Sequence, residues 1–165
     1  MRSFRNLVAW LAGASLGVAG VSLGILALVQ LSHVAGRYLF NNTPSWTEPV
    51  SIVLMNMTML LGAAVAVHRN SHFAFTVGID RLPARAHERA RVLVQLVIAA
   101  VGLVLAWEGL ALAVAGWDVK AAGVNLPQGL VYVPMVIGGA LIGLFGVASA
   151  LGQENVRRPE PGVAE

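Results

Sequence analysis

Between Leu7 and Val34 the chain runs LVAWLAGASLGVAGVSLGILALVQLSHV, without one aspartate, glutamate, lysine or arginine. As a helix rising about 1.5 Å per residue, that run is about 40 Å long, more than the roughly 30 Å of hydrocarbon in a bilayer. It has no polar face at helical period, so a water-soluble bundle has no use for it. Further apolar runs at about 48–67, 92–115 and 129–151 are near the ~20 residues that a span requires. A hydrophobic content of 57% against 12% charged residues, with a mean hydropathy of +0.74, exceeds what a soluble domain of this size can bury. The pattern predicts an all-α integral membrane protein: four transmembrane helices with short interfacial amphipathic segments. Residues 1–151 are read as one membrane domain and 152–165, rich in Pro, Arg and Glu, as a disordered tail.

The segments between the spans set the topology. Arg2 and Arg5 precede Leu7, Val8 and Trp10, which fits an amphipathic entry lying in the headgroups. Ala12 and Ala14 offer a small-residue cleavage pattern, but the apolar run continues past them to Val34. Before the second span, Thr47 is the expected N-cap, with Glu48 and Pro49 in the first turn, where a carboxylate suits the helix dipole and a missing N–H does no harm. A capping box from Ser45 to Glu48 is the alternative, and it places Pro49 where the helix needs a donor. Residues 68–91 hold Arg69, Arg81, Arg85, Arg89 and Arg91 against Asp80 and Glu88. Phe73, Phe75, Val77, Ile79 and Leu82 alternate with small or polar residues there. This stretch is expected to lie on the membrane surface, because a lone strand would leave its backbone unpaired. Lysine and arginine near span ends stay in the cytoplasm. Arg2, Arg5, the five central arginines, Arg157 and Arg158 share one side, and only Arg37 and Lys120 fall on the other. Both termini are therefore expected in the cytoplasm, with Trp46, Trp107 and Trp117 near the outer interface.

Polar residues inside the spans are the candidates for function. Glu108 is the acidic residue well inside a span, a candidate intramembrane polar site. It would serve as a proton or cation site, as a structural partner for an outer-side cation such as Arg37 or Lys120, or as a residue that reaches the interface. Gln30, His33, Asn56, Thr58 and Gln95 are too scattered to define a permeation path, and interhelical hydrogen bonds are their default role. His68 and His72 have a spacing that could hold a metal, but the helix is expected to end near Asn70 and Ser71, and His33 lies at the opposite membrane face. No metal or cofactor is expected. Gly13, Gly17, Gly20 and Gly24, and then Gly139, Gly143 and Gly146, recur at three- and four-residue spacing, either as helix contacts or as ordinary membrane-helix glycine. Pro134 is expected to free the Leu130 carbonyl and bend the last span. The chain has no cysteine and no Walker loop, nucleophile elbow or HExxH motif, so an enzyme reading has nothing to attach to. The net charge of +3 comes from arginines beside spans, which speaks for topology and lipid contact rather than nucleic acid.

In order and spacing around the four spans, Arg37, Tyr38, Phe40, Asn41, Trp46, Glu48, Gly62, Ala63, Ala64, Arg69, His72, Leu82, Pro83, Pro127, Tyr132, Pro134 and Gly138 resemble the small membrane subunit (DctQ-like) of tripartite ATP-independent periplasmic (TRAP) transporters. The resemblance covers the chain up to about Leu151. It departs at Pro49, where the family often has a second acidic residue. The resemblance implies a bacterial inner-membrane complex. In it a periplasmic binding protein delivers an organic acid, a large permease subunit moves it with sodium, and this non-catalytic subunit braces the large one. Arg37, Tyr38, Trp46, Glu48, Arg69, His72 and Pro134 would then be subunit-interface or positioning residues. An electron-transfer membrane anchor would need haem ligands at matched depth, and a self-assembling four-helix exporter would need a carboxylate in the first span.

Overall fold

The computed structural model describes residues 2–39, 41–42, 44–69, 84–121 and 123–152. His72, the alternating 73–82 stretch and the tail beyond 152 lie outside the described residues. Four α-helices carry the chain: α1 (Arg2–Leu39), α2 (Thr47–His68), α3 (Ala84–Ala115) and α4 (Val133–Gly152). A 3-10 segment, Gln128–Tyr132, leads into α4. Each helix contains a stretch long and apolar enough to cross a membrane: Asn6–Leu39, Thr47–His68, Val92–Ala115 and, with the 3-10 segment, Gln128–Ala150. The all-α membrane architecture expected from hydropathy is thus observed. The N-terminal amphipathic entry is not a separate element, because α1 runs from Arg2 without a break.

The helices pack in the order α1, α2, α4, α3. α1 lies against α2 and α3 against α4, which leaves one side of α1 and one side of α3 uncovered within the chain. At one membrane face Val8 and Ala12 of α1 meet Ala64 and Val67 of α2 and Ile142 and Phe145 of α4 in the main core cluster. Phe145 is fully buried there. The His68 ring packs on Phe145 at 5.3 Å between centroids, tilted by 48°, so this imidazole closes the core end of α2.

α3 and α4 approach at backbone distance. A Cβ built on Gly102 would lie 2.5 Å from Gly143 N, one on Gly139 2.6 Å from Ala106 N, and one on Gly146 2.9 Å from the Ala99 Cβ. Helix association in lipid rests on such close packing, since burying apolar surface gains little where the solvent is itself apolar. The two glycine stripes therefore differ. That of α4 is consumed in the α3 contact, whereas Gly13, Gly17, Gly20 and Gly24 of α1 meet no atom within 4 Å of an added Cβ.

Pro134 behaves differently from the sequence expectation. The Leu130 carbonyl is not freed, because it accepts the Val133 N–H at the end of the 3-10 segment. The change of helix type precedes the proline, which sits in the first turn of α4, where no N–H is required.

Candidate functional site

Two polar side chains of the helices, His33 and Thr47, meet where α1 hands over to α2. α1 ends with Arg37 in its last turn, where a cation suits the exposed carbonyls. Asn41 then takes a left-handed φ of 48°, a conformation that asparagine tolerates better than other side-chain-bearing residues. The turn brings the Asn42 N–H to the Gly36 carbonyl at 3.1 Å, satisfying one acceptor that the helix end leaves open. Gly36 makes room, since an added Cβ would stand 2.9 Å from Pro44 Cδ.

Thr47 is the centre of this joint, though not as the N-cap expected from its position. Trp46 occupies the cap with φ −76° and ψ −19° and makes no side-chain cap bond, and Thr47 is already helical. The Thr47 hydroxyl turns back instead. It donates to the Pro44 carbonyl at 2.7 Å and lies 2.7 Å from His33 Nδ1. A hydroxyl has one proton, so with that proton on Pro44 the imidazole must carry its own on Nδ1 and donate it to Thr47 Oγ1. Thr47 is fully buried. The capping-box alternative also fails, because Ser45 Oγ donates to the Gly123 carbonyl at 3.2 Å.

That bond ties the α1–α2 turn to the connection between α3 and α4. Within this connection Gln128 N–H reaches the Val119 carbonyl at 2.7 Å and Ala121 N–H the Leu126 carbonyl at 2.9 Å. Asn56 Nδ2 adds a 3.4 Å bond from α2 to the Val131 carbonyl. Gly123 has φ +83°, and a Cβ there would lie 2.5 Å from the Ser45 carbonyl oxygen and 2.7 Å from its Cβ. Gly123→Ala is expected to destabilise this layer by about 2 kcal/mol, backbone strain and the collision adding. Limited proteolysis in detergent should then cut residues 116–127 at least tenfold faster, and an unchanged rate would show that the two loops do not hold each other.

Arg37, Tyr38, Trp46 and Glu48 surround the joint with exposed side chains, Tyr38 at 81% and Trp46 at 43%. Arg69 stands at the other end of α2 as its C-cap, with its backbone N–H on the Val65 carbonyl at 2.9 Å and its side chain exposed. Pro134 is buried and, with Pro49, Val53, Met57 and Ile137, lines an apolar cleft of about 320 Å³. Glu108 is exposed on α3 and makes no ion pair with a described residue; neither Arg37 nor Lys120 serves as its partner. Sequence reading assigned His33 to interhelical bonding in general but missed its pairing with Thr47, and it missed Ser45 with Gly123. Periodicity within one segment does not say which residue of another segment it will meet.

Among the described residues no three His, Asp or Glu side chains come together as a metal site, and the cleft walls carry almost no polar surface. Such an arrangement can hold helices at fixed angles and present a polar rim. The four apolar helices define a small multi-pass membrane protein. The profile of the family described as Tripartite ATP-independent periplasmic transporters, DctQ component, matches residues 26–154, and the chain belongs to that family. Among relatives, a Haemophilus influenzae protein named provisionally as a TRAP transporter small permease is 28% identical over 120 residues, 73% of this chain and 74% of its own length. The sialic acid TRAP transporter small permease SiaQ of Vibrio cholerae is 30% identical over 79 residues, 48% of this chain and 44% of its own length.

Proposed function

We propose that this chain is the non-catalytic small subunit of a TRAP transporter and that it braces the large permease subunit during sodium-coupled uptake of an organic acid supplied by a periplasmic binding protein. Sialic acid, in the name of the Vibrio cholerae relative, is one acid of that class. In this reading the chain lies in the bacterial inner membrane with both termini in the cytoplasm. Arg37, Tyr38, Trp46 and Glu48 then form its outer rim, and Arg69 and His72 its cytoplasmic one. Pro134 positions the start of α4.

The observation that carries the reading is the open packing of the helices. Within the chain only 22% of the most apolar window of α2 and of α3 is buried, and 28% of that of α1. So much uncovered helix surface suits a scaffold seated on a larger membrane protein. The apolar cleft, by contrast, offers an organic acid no donor for its carboxylate. Removing this chain while keeping the large permease and the binding protein should cut uptake at least tenfold and lower the amount of large permease in the membrane. Uptake and large-subunit level both at their original values would refute bracing.

A further inference from the structure

We propose that two apolar grooves beside the start of α4 together bind one diacyl phospholipid with a zwitterionic, ammonium-bearing head group, one acyl chain in each groove and the head group between Asp118 and Lys120. The first groove is the 320 Å³ cleft between α2 and α4. The second, of about 480 Å³, lies between α3 and α4, with Leu110, Val114, Trp117 and Asp118 on its α3 side. Val133 and Ile137, one turn apart on α4, line both, so a ridge of single side chains separates the two. Both grooves start at the 116–127 connection. Ala121 and Leu126 close the head of the first, and Trp117 and Asp118 that of the second. From there the first follows α2 from Pro49 to Met57 and the second follows α3 back to Leu110, each for roughly 10–12 Å of helix. Their volumes then give mean cross-sections of about 27 and 46 Å², against about 80 Å² for a helix 10 Å in diameter. A hydrocarbon chain or a side chain enters such a groove and a helix does not.

The grooves are apolar along their length and polar at one end. The first carries almost no polar surface, and in the second the polar side chains are those of Trp117 and Asp118, at its head. An amphiphile with its hydrocarbon along the helices and its polar group at the connection matches that distribution. Lys120 stands beside the first groove, since its neighbour Ala121 and its bridge partner Pro127 both line it. Asp118 and Lys120 are exposed, and neither makes an ion pair with a described residue. An anion and a cation two residues apart, each beside a different groove, complement a head group that carries both ammonium and phosphate. The ammonium donates N–H to the Asp118 carboxylate and the Lys120 ammonium donates to the phosphate. A lipid with a net negative head group would leave Asp118 uncompensated, and a choline has no N–H to donate. A side chain from another protein would fill one groove without meeting both charges.

The test reconstitutes the full chain in vesicles of phosphatidylethanolamine, phosphatidylcholine and phosphatidylglycerol in equal parts, with a diazirine on the acyl chain of one lipid at a time, and maps the adducts after illumination. The ethanolamine lipid should label residues of both grooves, such as Met57 and Leu110, at least fivefold more than the other two, whereas the exposed Val101 of α3 should take up all three alike. Asp118→Asn should bring groove labelling by the ethanolamine lipid down to the level of the others. Ile137→Trp, at a ridge position 45% exposed where a larger ring can be accommodated, should obstruct both grooves and lower their labelling at least fivefold. Equal groove labelling by the three lipids, labelling confined to one groove, or groove labelling no greater than that at Val101 would overturn the proposal. So would a photoreactive residue at Val53 that joins to the large permease rather than to lipid in native membranes.

Discussion

Gly139→Leu is expected to destabilise the folded chain by about 3 kcal/mol or more, the upper end of the cost of overpacking a close contact. The reason is geometric. A Cβ at this position would already lie 2.6 Å from Ala106 N and 2.8 Å from the Gly102 carbonyl oxygen, and the obstacle is helix backbone, which cannot rotate aside as a side chain can. α4 would have to separate from α3 along the contact that also holds Gly143 and Gly146. The Phe145 cluster shared with α1 and α2 would then lose one wall. Tryptophan fluorescence during thermal unfolding in detergent should show a lowered midpoint, and size-exclusion should show loss of the monodisperse peak. Gly20→Ala on α1 is the comparison. No atom stands within 4 Å of its added Cβ, and alanine favours the helix by about 1 kcal/mol, so the isolated chain should be unchanged or slightly more stable. Equal responses at Gly139 and Gly20 would refute the distinction between the two stripes.

That distinction marks how far the sequence can be read. Hydropathy over 7–34, 48–67, 92–115 and 129–151 is a local property, and it located the helices because a bilayer leaves a chain few other ways to satisfy its backbone. Glu48 in the first turn of α2 was legible for the same reason: the helix dipole acts on the residue beside it. Spacing could not say which glycine stripe lies against a neighbour, since both repeat alike and the choice depends on the packing order of the helices. Pro134 was read against a single continuous span, whereas the 3-10 segment before it had already changed the hydrogen-bonding pattern. Thr47 was misread as a cap because its better partners, Pro44 and His33, become available only once the turn folds back.

Thr47→Val should destabilise the α1–α2 joint by about 3 kcal/mol, although it changes hardly any volume. Valine keeps the branched shape that fills this fully buried position but removes the oxygen that serves two partners. The Pro44 carbonyl would lose its donor at 2.7 Å and His33 Nδ1 its acceptor at 2.7 Å. Leaving a buried polar group unsatisfied costs about 1–3 kcal/mol, and here two are affected. Thr47→Ser retains the hydroxyl and should stay within about 1 kcal/mol of the original. His33→Ala removes one of the two bonds and spares the one to Pro44, so its effect should be smaller than that of valine. In the double variant the two losses should fall short of additive, because both single changes delete the same His33–Thr47 bond. Denaturant unfolding of the purified chain in detergent measures all four. Strict additivity, or a valine variant as stable as the original, would mean that the hydroxyl does not hold the joint. If it does, the exposed Trp46 and Glu48 beside it lose their fixed placement in the valine variant. Recovery of the large permease with this chain should then fall in the order serine, His33→Ala, valine, following the loss of stability at the joint.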